Sequence, residues 1–248
     1  MPNVRISLRV LDSQIVVDGP VPDGPARLDE LLPFLRSMDD QVIGVAVRRT
    51  EASGEKVTCS KGCSTCCRAQ PVPVAPVEAV ALAKVVESMP AARRDEVKRK
   101  FAENVKRLEE AGLADTFRRR DPHLTNEQAR DIAKRYFALG LVCPFLEDDA
   151  CGIYADRPFV CRQYLVTSDP ELCRDPFTNP VKVIPMPMGF AGATLRVTGD
   201  VVGKDQYTVP LTLALEIARR ESERFETRID LRVVLPRWIE AAAKGERE

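Results

Sequence analysis

Histidine is almost missing from this chain, with one residue in 248. No Ser/His/Asp arrangement can be assembled around a single imidazole, and no phosphate-binding glycine loop offers another route to catalysis. Net charge is missing too: Lys+Arg and Asp+Glu are both 37, giving +0. A balanced chain exerts no long-range pull on phosphate backbones or anionic lipid, which argues against nucleic-acid and membrane-surface partners. No apolar run approaches the roughly 18–20 residues that a membrane span needs. The opening MPNVRISLRV has neither the apolar stretch of a signal peptide nor a twin-arginine pair. A cytoplasmic protein is the expectation.

What is present is cysteine. Eight of them stand in a chain that is 44% hydrophobic and 30% charged, an ordinary globular composition that can bury a core without covalent staples. In a reducing compartment such thiols stay free, so metal ligation or redox chemistry is the natural use for them.

Along the chain, Val4, Ile6, Leu8 and Val10 alternate with polar residues as in a half-buried strand, and a second short strand covers Ile15 to Val17. Pro- and Gly-rich residues 19–25 form a loop. A short helix with Leu28, Leu31, Leu32 and Leu35 follows, then a buried strand from Val42 to Val47. Three helices are expected between two cysteine groups: Pro76 to Met89, Ala92 to Ala111, and one opened by the capping box Thr125-Asn126-Glu127-Gln128 and ended by Gly140. Folded as a hairpin, they bring the two groups together. Next comes a β-hairpin, Ala193 to Val197 with a turn at Gly199-Asp200, then helices from Pro210 to Arg224 and from Leu231 to Ala243, the last anchored by Trp238. His123, beside Arg118, Arg119 and Arg120, reads as part of an exposed basic stretch.

The first cysteine group is Cys59-Ser-Lys-Gly-Cys63-Ser-Thr-Cys66-Cys67. On an ideal helix these four offsets fall on one face. Thiolates repel one another unless a cation lies between them, and tetrahedral ligation needs them converging within about 2.3 Å of it. Adjacent Cys66 and Cys67 fit poorly on one mononuclear ion, so one of them ligates a second metal or faces elsewhere. The second group is Cys143, Cys151, Cys161 and Cys173. Its gaps are too long for a self-contained finger, so it completes a site begun by the first, with Cys173 as the expected bystander. Buried core cysteines are common, but four in nine residues flanked by Ser, Lys, Gly and Thr do not read as core. Lys61, Arg68, Arg157, Arg162 and Arg174 lie beside the cysteines, where cations would favour thiolates. Tyr154 and Arg157 are expected to pack over the centre and neutralise it.

Cys59-x3-Cys63-x2-Cys66 has the spacing of the radical S-adenosylmethionine signature. However, Thr65 stands where that family has an aromatic, and the downstream pattern is helical instead of alternating strand and helix. A fuller resemblance is to the YkgJ-type cysteine-cluster family, described as zinc- or iron-chelating. Cys59-x3-Cys63-x2-Cys66-Cys67 resembles its opening motif, Cys143-Pro144-Phe145-Leu146 its middle block, and Cys151-x-Ile153-Tyr154-x-x-Arg157-Pro158-x-x-Cys161-Arg162 its closing block. The resemblance implies that Cys59, Cys63, Cys66, Cys67, Cys143, Cys151 and Cys161 bind an iron–sulfur cluster or a zinc ion. It does not transfer a reaction, although some relatives resemble a flagellin lysine-N-methylase.

The expectation is therefore one α+β domain, predominantly helical around a cysteine-rich metal site, with short strands near both ends. Residues 1–57 form an N-terminal α/β segment, 58–180 the metal-binding core, and 181–248 a hairpin plus C-terminal helices. The function expected is metal binding. Alternatives are a metalloenzyme of redox or methyl-transfer type, or a zinc-stiffened interaction module with an unidentified protein partner.

Overall fold

Alternation in the first ten residues does build a strand. In the computed structural model, which describes residues 2–119, 124–203 and 206–245, β1 (Asn3–Val10) pairs antiparallel with β2 (Ser13–Pro20), Val10 opposite Ser13. Leu11, in the two-residue connection, takes a left-handed φ of 54°, as tight hairpin turns demand. Val10, Ile15 and Val17 are buried beneath the hairpin. Arg120 and His123 lie outside the described residues.

After β3 (Pro25–Ala26) and a 3-10 turn over Leu28–Leu31, α1 runs from Leu32–Ala52. The strand expected at Val42 to Val47 is thus helix. Leu35, Met38, Val42 and Val45 are all buried along one side of α1, a 3.6-residue rhythm that begins upstream of the valine-rich run. A short apolar run is ambiguous by itself; here the helix already under way decides it.

β4 (Pro73–Val74) leads into α2 (Pro76–Glu87), α3 (Ala91–Glu110), α4 (Ala114–Arg119) and α5 (Asn126–Ala138). The capping box forms: Gln128 N–H donates to Thr125 Oγ1 at 3.2 Å, and Thr125 N–H to Gln128 Oε1 at 2.8 Å. A tight hairpin of β5 (Leu146–Glu147) and β6 (Ala150–Cys151) turns through Asp148 and Asp149, both at positive φ. The short α6 (Phe159–Gln163) follows.

The β-hairpin expected around Gly199-Asp200 is also helix: α7 (Phe190–Val202), closed by Gly203 in a left-handed C-cap at φ 68°. Its buried Phe190, Ala193, Thr194, Val197 and Thr198 recur at helical spacing and pack on the final helix. β7 (Val209–Pro210) and a 3-10 turn at Leu211–Leu213 precede α8 (Ala214–Phe225), so this helix starts later than Pro210. β8 (Ile229–Asp230) caps α9 (Leu231–Lys244), in which Trp238 is fully buried and donates its indole N–H to Thr194 Oγ1 at 3.1 Å.

The architecture is α+β and predominantly helical, with short strands near both ends. Two-residue ladders, β3 with β8 and β4 with β7, tie early chain to late chain. The described residues form two apolar cores. One gathers the β1–β2 hairpin, α1, α7 and α9 around Leu35, Phe190 and Trp238. The other gathers α3, α5 and the start of α8 around Phe101, Tyr136 and Phe145. Helix α2 serves both, giving Val77 and Val80 to the first and Leu82 and Val86 to the second.

Candidate metal centre

The first cysteine group does not lie on a helix. Residues 55–60 form neither helix nor strand, the chain turns with Gly62 at φ 95°, and only Cys66–Arg68 make a 3-10 turn. A left-handed φ favours glycine at position 62. The turn directs Cys63, Cys66 and Cys67 into one cavity and leaves Cys59 off its wall, so the four sulfurs do not share one helical face.

Cys143 reaches the same cavity because its N–H donates to the Cys67 carbonyl at 2.7 Å, which joins the two cysteine-bearing segments directly. Cys151 is delivered by the β5–β6 hairpin, and Gly152 N–H donates to the Phe145 carbonyl at 2.8 Å. Phe145 stacks edge-on against Phe101 with centroids 5.4 Å apart, which fixes the hairpin to the second core.

Cys161 arrives on α6, whose position is set from beneath. Glu78, 2% exposed, accepts the Phe159 N–H at 2.9 Å and the Ala75 N–H at 3.0 Å. Arg162 turns away from the cavity. Its Nε stands 3.4 Å from Asp39 Oδ2, its guanidinium also contacts Asp40, and it donates to the Ala155 carbonyl at 3.1 Å. Gln163 donates to Asp39 Oδ1 and to the Met188 carbonyl, both at 2.8 Å. Burial lifts the Asp39 carboxyl to about 7 despite Arg162.

Six cysteines, Cys63, Cys66, Cys67, Cys143, Cys151 and Cys161, therefore line one cavity of about 90 Å³. Val72, Leu141, Phe145, Ile153 and Leu211 provide apolar walls, and Tyr136 and Tyr154 add aromatic ones. Room for several water-sized groups is enough for metal ions.

The environment explains the protonation of these thiols. Burial raises Cys143 to about 12, raises Cys151, and pushes Cys161 far up. Cys66 is raised by its hydrogen bond with Cys67, then by burial. Acting against burial, Phe145 N–H donates to the Cys143 sulfur and Ile153 N–H to the Cys151 sulfur, two residues on in each case. Such bonds favour the thiolate, and hydrogen bonds to sulfur tune thiolate–metal centres. A divalent cation supplies what is needed to displace the protons.

Of the cations flagged from sequence, Arg157 meets the expectation: it lies 3.7 Å above the Tyr154 ring and favours the Cys151 thiolate. Arg68 pairs with Asp149 and Arg174 with Glu171 at the outer rim. Lys100, which favours the Cys143 thiolate from α3, was not apparent in the sequence, nor was Glu78. Both lie at least forty residues from the cysteine they serve, so proximity in sequence carried no signal.

Among the described residues, no three His, Cys, Asp or Glu side chains form a ready-made ligand set. The donor set has the chemistry for a thiophilic metal, with cysteines from both segments on one cavity, but ligation requires the side chains to draw inward.

The sequence profile of the CxxCxxCC family, described as "Putative zinc- or iron-chelating domain", matches residues 58–179, just under half of the chain. That segment is similar to the CxxCxxCC family. The match spans both cysteine groups and ends beyond Cys173. No curated protein and no solved structure matches the chain. The CxxCxxCC segment thus contains the whole cavity wall except Leu211 and Thr212, which the C-terminal portion contributes. No helix among the described residues is long and apolar enough to cross a membrane.

Proposed function

We propose that this is a metal-binding protein in which the cavity thiols hold a polynuclear thiolate centre, with an iron–sulfur cluster as the leading form. The observation carrying this reading is that six cysteines from two distant segments line one cavity. One tetrahedral ion uses four ligands, so six sulfurs exceed the needs of a mononuclear site and suit a centre with more than one metal. Arg157 and Lys100 offset part of the negative charge that such a centre carries. A reducing, cytoplasmic setting, which keeps the thiols available, belongs to the same reading.

Zinc is the second reading, favoured by the apolar wall and the small volume of about 90 Å³, features suited to a closed structural site. Anaerobic purification followed by metal and sulfide analysis separates the two. Iron with sulfide and broad visible absorbance supports the cluster; colourless protein with bound zinc supports the second reading. Protein that binds neither metal, as purified or after reconstitution under reducing conditions, refutes both.

A further inference from the structure

Cys59 and Cys173 are the two cysteines that do not line the cavity, and the fold places them beside each other. The chain at Thr58 is tied to the segment before Cys173 by Thr58 N–H to the Val166 carbonyl at 2.9 Å. Thr58 Oγ1 adds contacts to the Val166 carbonyl at 3.1 Å and the Ser168 carbonyl at 2.5 Å. A few residues on, Thr65 Oγ1 approaches Glu171 Oε1 at 3.4 Å, and the 3-10 turn carrying Cys66 packs on the turn Pro170–Arg174 that carries Cys173. Cys173 is 4% exposed. It interacts electrostatically with Cys59, Cys63 and Cys66, and Cys59 does so with Cys63 and Cys66.

Both outlying sulfurs also have hydrogen-bond donors aimed at them. Val166 N–H donates to the Cys59 sulfur, and the Tyr164 hydroxyl donates to Cys173. A buried apolar cysteine needs no such donor; a thiolate ligand does. The Cys67 carbonyl, by contrast, accepts the Cys143 N–H, while Cys66 also interacts electrostatically with Cys143, Cys151 and Cys161 and so stands between the two sets.

We infer that the eight thiols divide into two four-sulfur sites for soft divalent metals such as zinc or ferrous iron: Cys59, Cys63, Cys66 and Cys173 form one, and Cys67, Cys143, Cys151 and Cys161 the other. This rests on the thiolate reading of the cavity, but it replaces one shared six-sulfur centre with two adjacent four-sulfur sites, giving Cys173 a role and splitting the vicinal pair. Cys66 and Cys67 then serve adjacent centres, which resolves why two neighbouring cysteines that fit poorly on one ion occur together. Four thiolates satisfy tetrahedral coordination at each site.

The test is a titration of reduced, metal-free full-length protein with cobalt(II), a spectroscopic stand-in for zinc, followed by its sulfur-to-metal absorbance. Wild type is expected to take up two equivalents per chain. Cys173→Ser and Cys59→Ser should each retain one, as should Cys161→Ser, and the double variant Cys161→Ser/Cys173→Ser should retain none. Tyr164→Phe, which keeps every thiol, should weaken one equivalent and leave the other unchanged. Helical circular dichroism confirms that each variant is folded. Wild-type uptake in Cys173→Ser overturns the division, as does loss of both equivalents from a folded single variant. If wild type itself takes up no cobalt, the thiolate reading of the cavity falls along with it.

Discussion

Replacing Arg162 with methionine should destabilise the protein by an amount that grows with pH, because Arg162 restrains the titration of Asp39. The pair is sealed, with Asp39 0% and Arg162 4% exposed. The substitution removes the ion pair with Asp39, the contact with Asp40 and the hydrogen bonds to the Ala155 and Arg36 carbonyls. That loss is worth about 2–4 kcal/mol, below the extreme for a broken buried pair because Asp39 can take up a proton. In wild type, burial already holds Asp39 at about 7 instead of its ordinary 3.8. A carboxyl raised in this way supports the fold when protonated: its contribution is full below 3.8 and is lost as pH rises to about 7. Without Arg162 the carboxyl rises further, so the variant keeps losing stability above pH 7, at roughly 1.4 kcal/mol per pH unit. Between about pH 7 and 8.5 this adds roughly 2 kcal/mol to the difference from wild type. Urea unfolding followed by the fluorescence of Trp238, at matched metal content, reads it directly. Adding Asp39→Asn to the variant should abolish the pH dependence. An equal destabilisation at pH 6 and 8.5 would refute the coupling.

Metal-free protein should behave oppositely to metal-loaded protein across pH. Burial lifts Cys143 from 9.0 to about 12 and raises Cys151 and Cys161 as well, so the metal-free fold keeps protons that the unfolded chain gives up and loses stability as pH rises above about 9. Loaded protein should weaken instead as pH falls, when protons compete for the thiolates; parallel melting curves with and without chelator would contradict this. Trp238→Phe should cost about 1–3 kcal/mol, since it leaves the buried Thr194 hydroxyl without its indole donor. Trp238→Ala, at about 3–5 kcal/mol, should cost more; equal chemical-denaturation midpoints for the two would count against the hydrogen bond. Gly152→Ala should perturb Cys151 and lower metal content, because an added Cβ would come within 2.5 Å of Arg93 Nη2 and 2.9 Å of Glu147. Unchanged metal content and an unchanged melting temperature would show that the two side chains simply swing aside.

Chemistry here was written into the sequence by residue type and spacing. Scarce histidine and clustered cysteines pointed to thiolate chemistry, and three motif blocks pointed to the CxxCxxCC family whose profile residues 58–179 match. Local signals also sufficed where the physics is local: the alternation of β1 and the capping box at Thr125. They failed at Val42 to Val47 and at Ala193 to Val201, where β-branched runs suggested strands. Burial against the β1–β2 hairpin and against Trp238 rewards the helical face instead, and packing outweighs a propensity difference of tenths of a kcal/mol per residue. The sharing of sulfurs was likewise a tertiary outcome. Gly62, the Cys143 N–H on Cys67 and the Thr58 ties decide which thiols face the cavity and which lie beside Cys173. Those contacts join residues about 75 to 110 apart, and spacing along a chain says nothing about a meeting that only the folded backbone arranges.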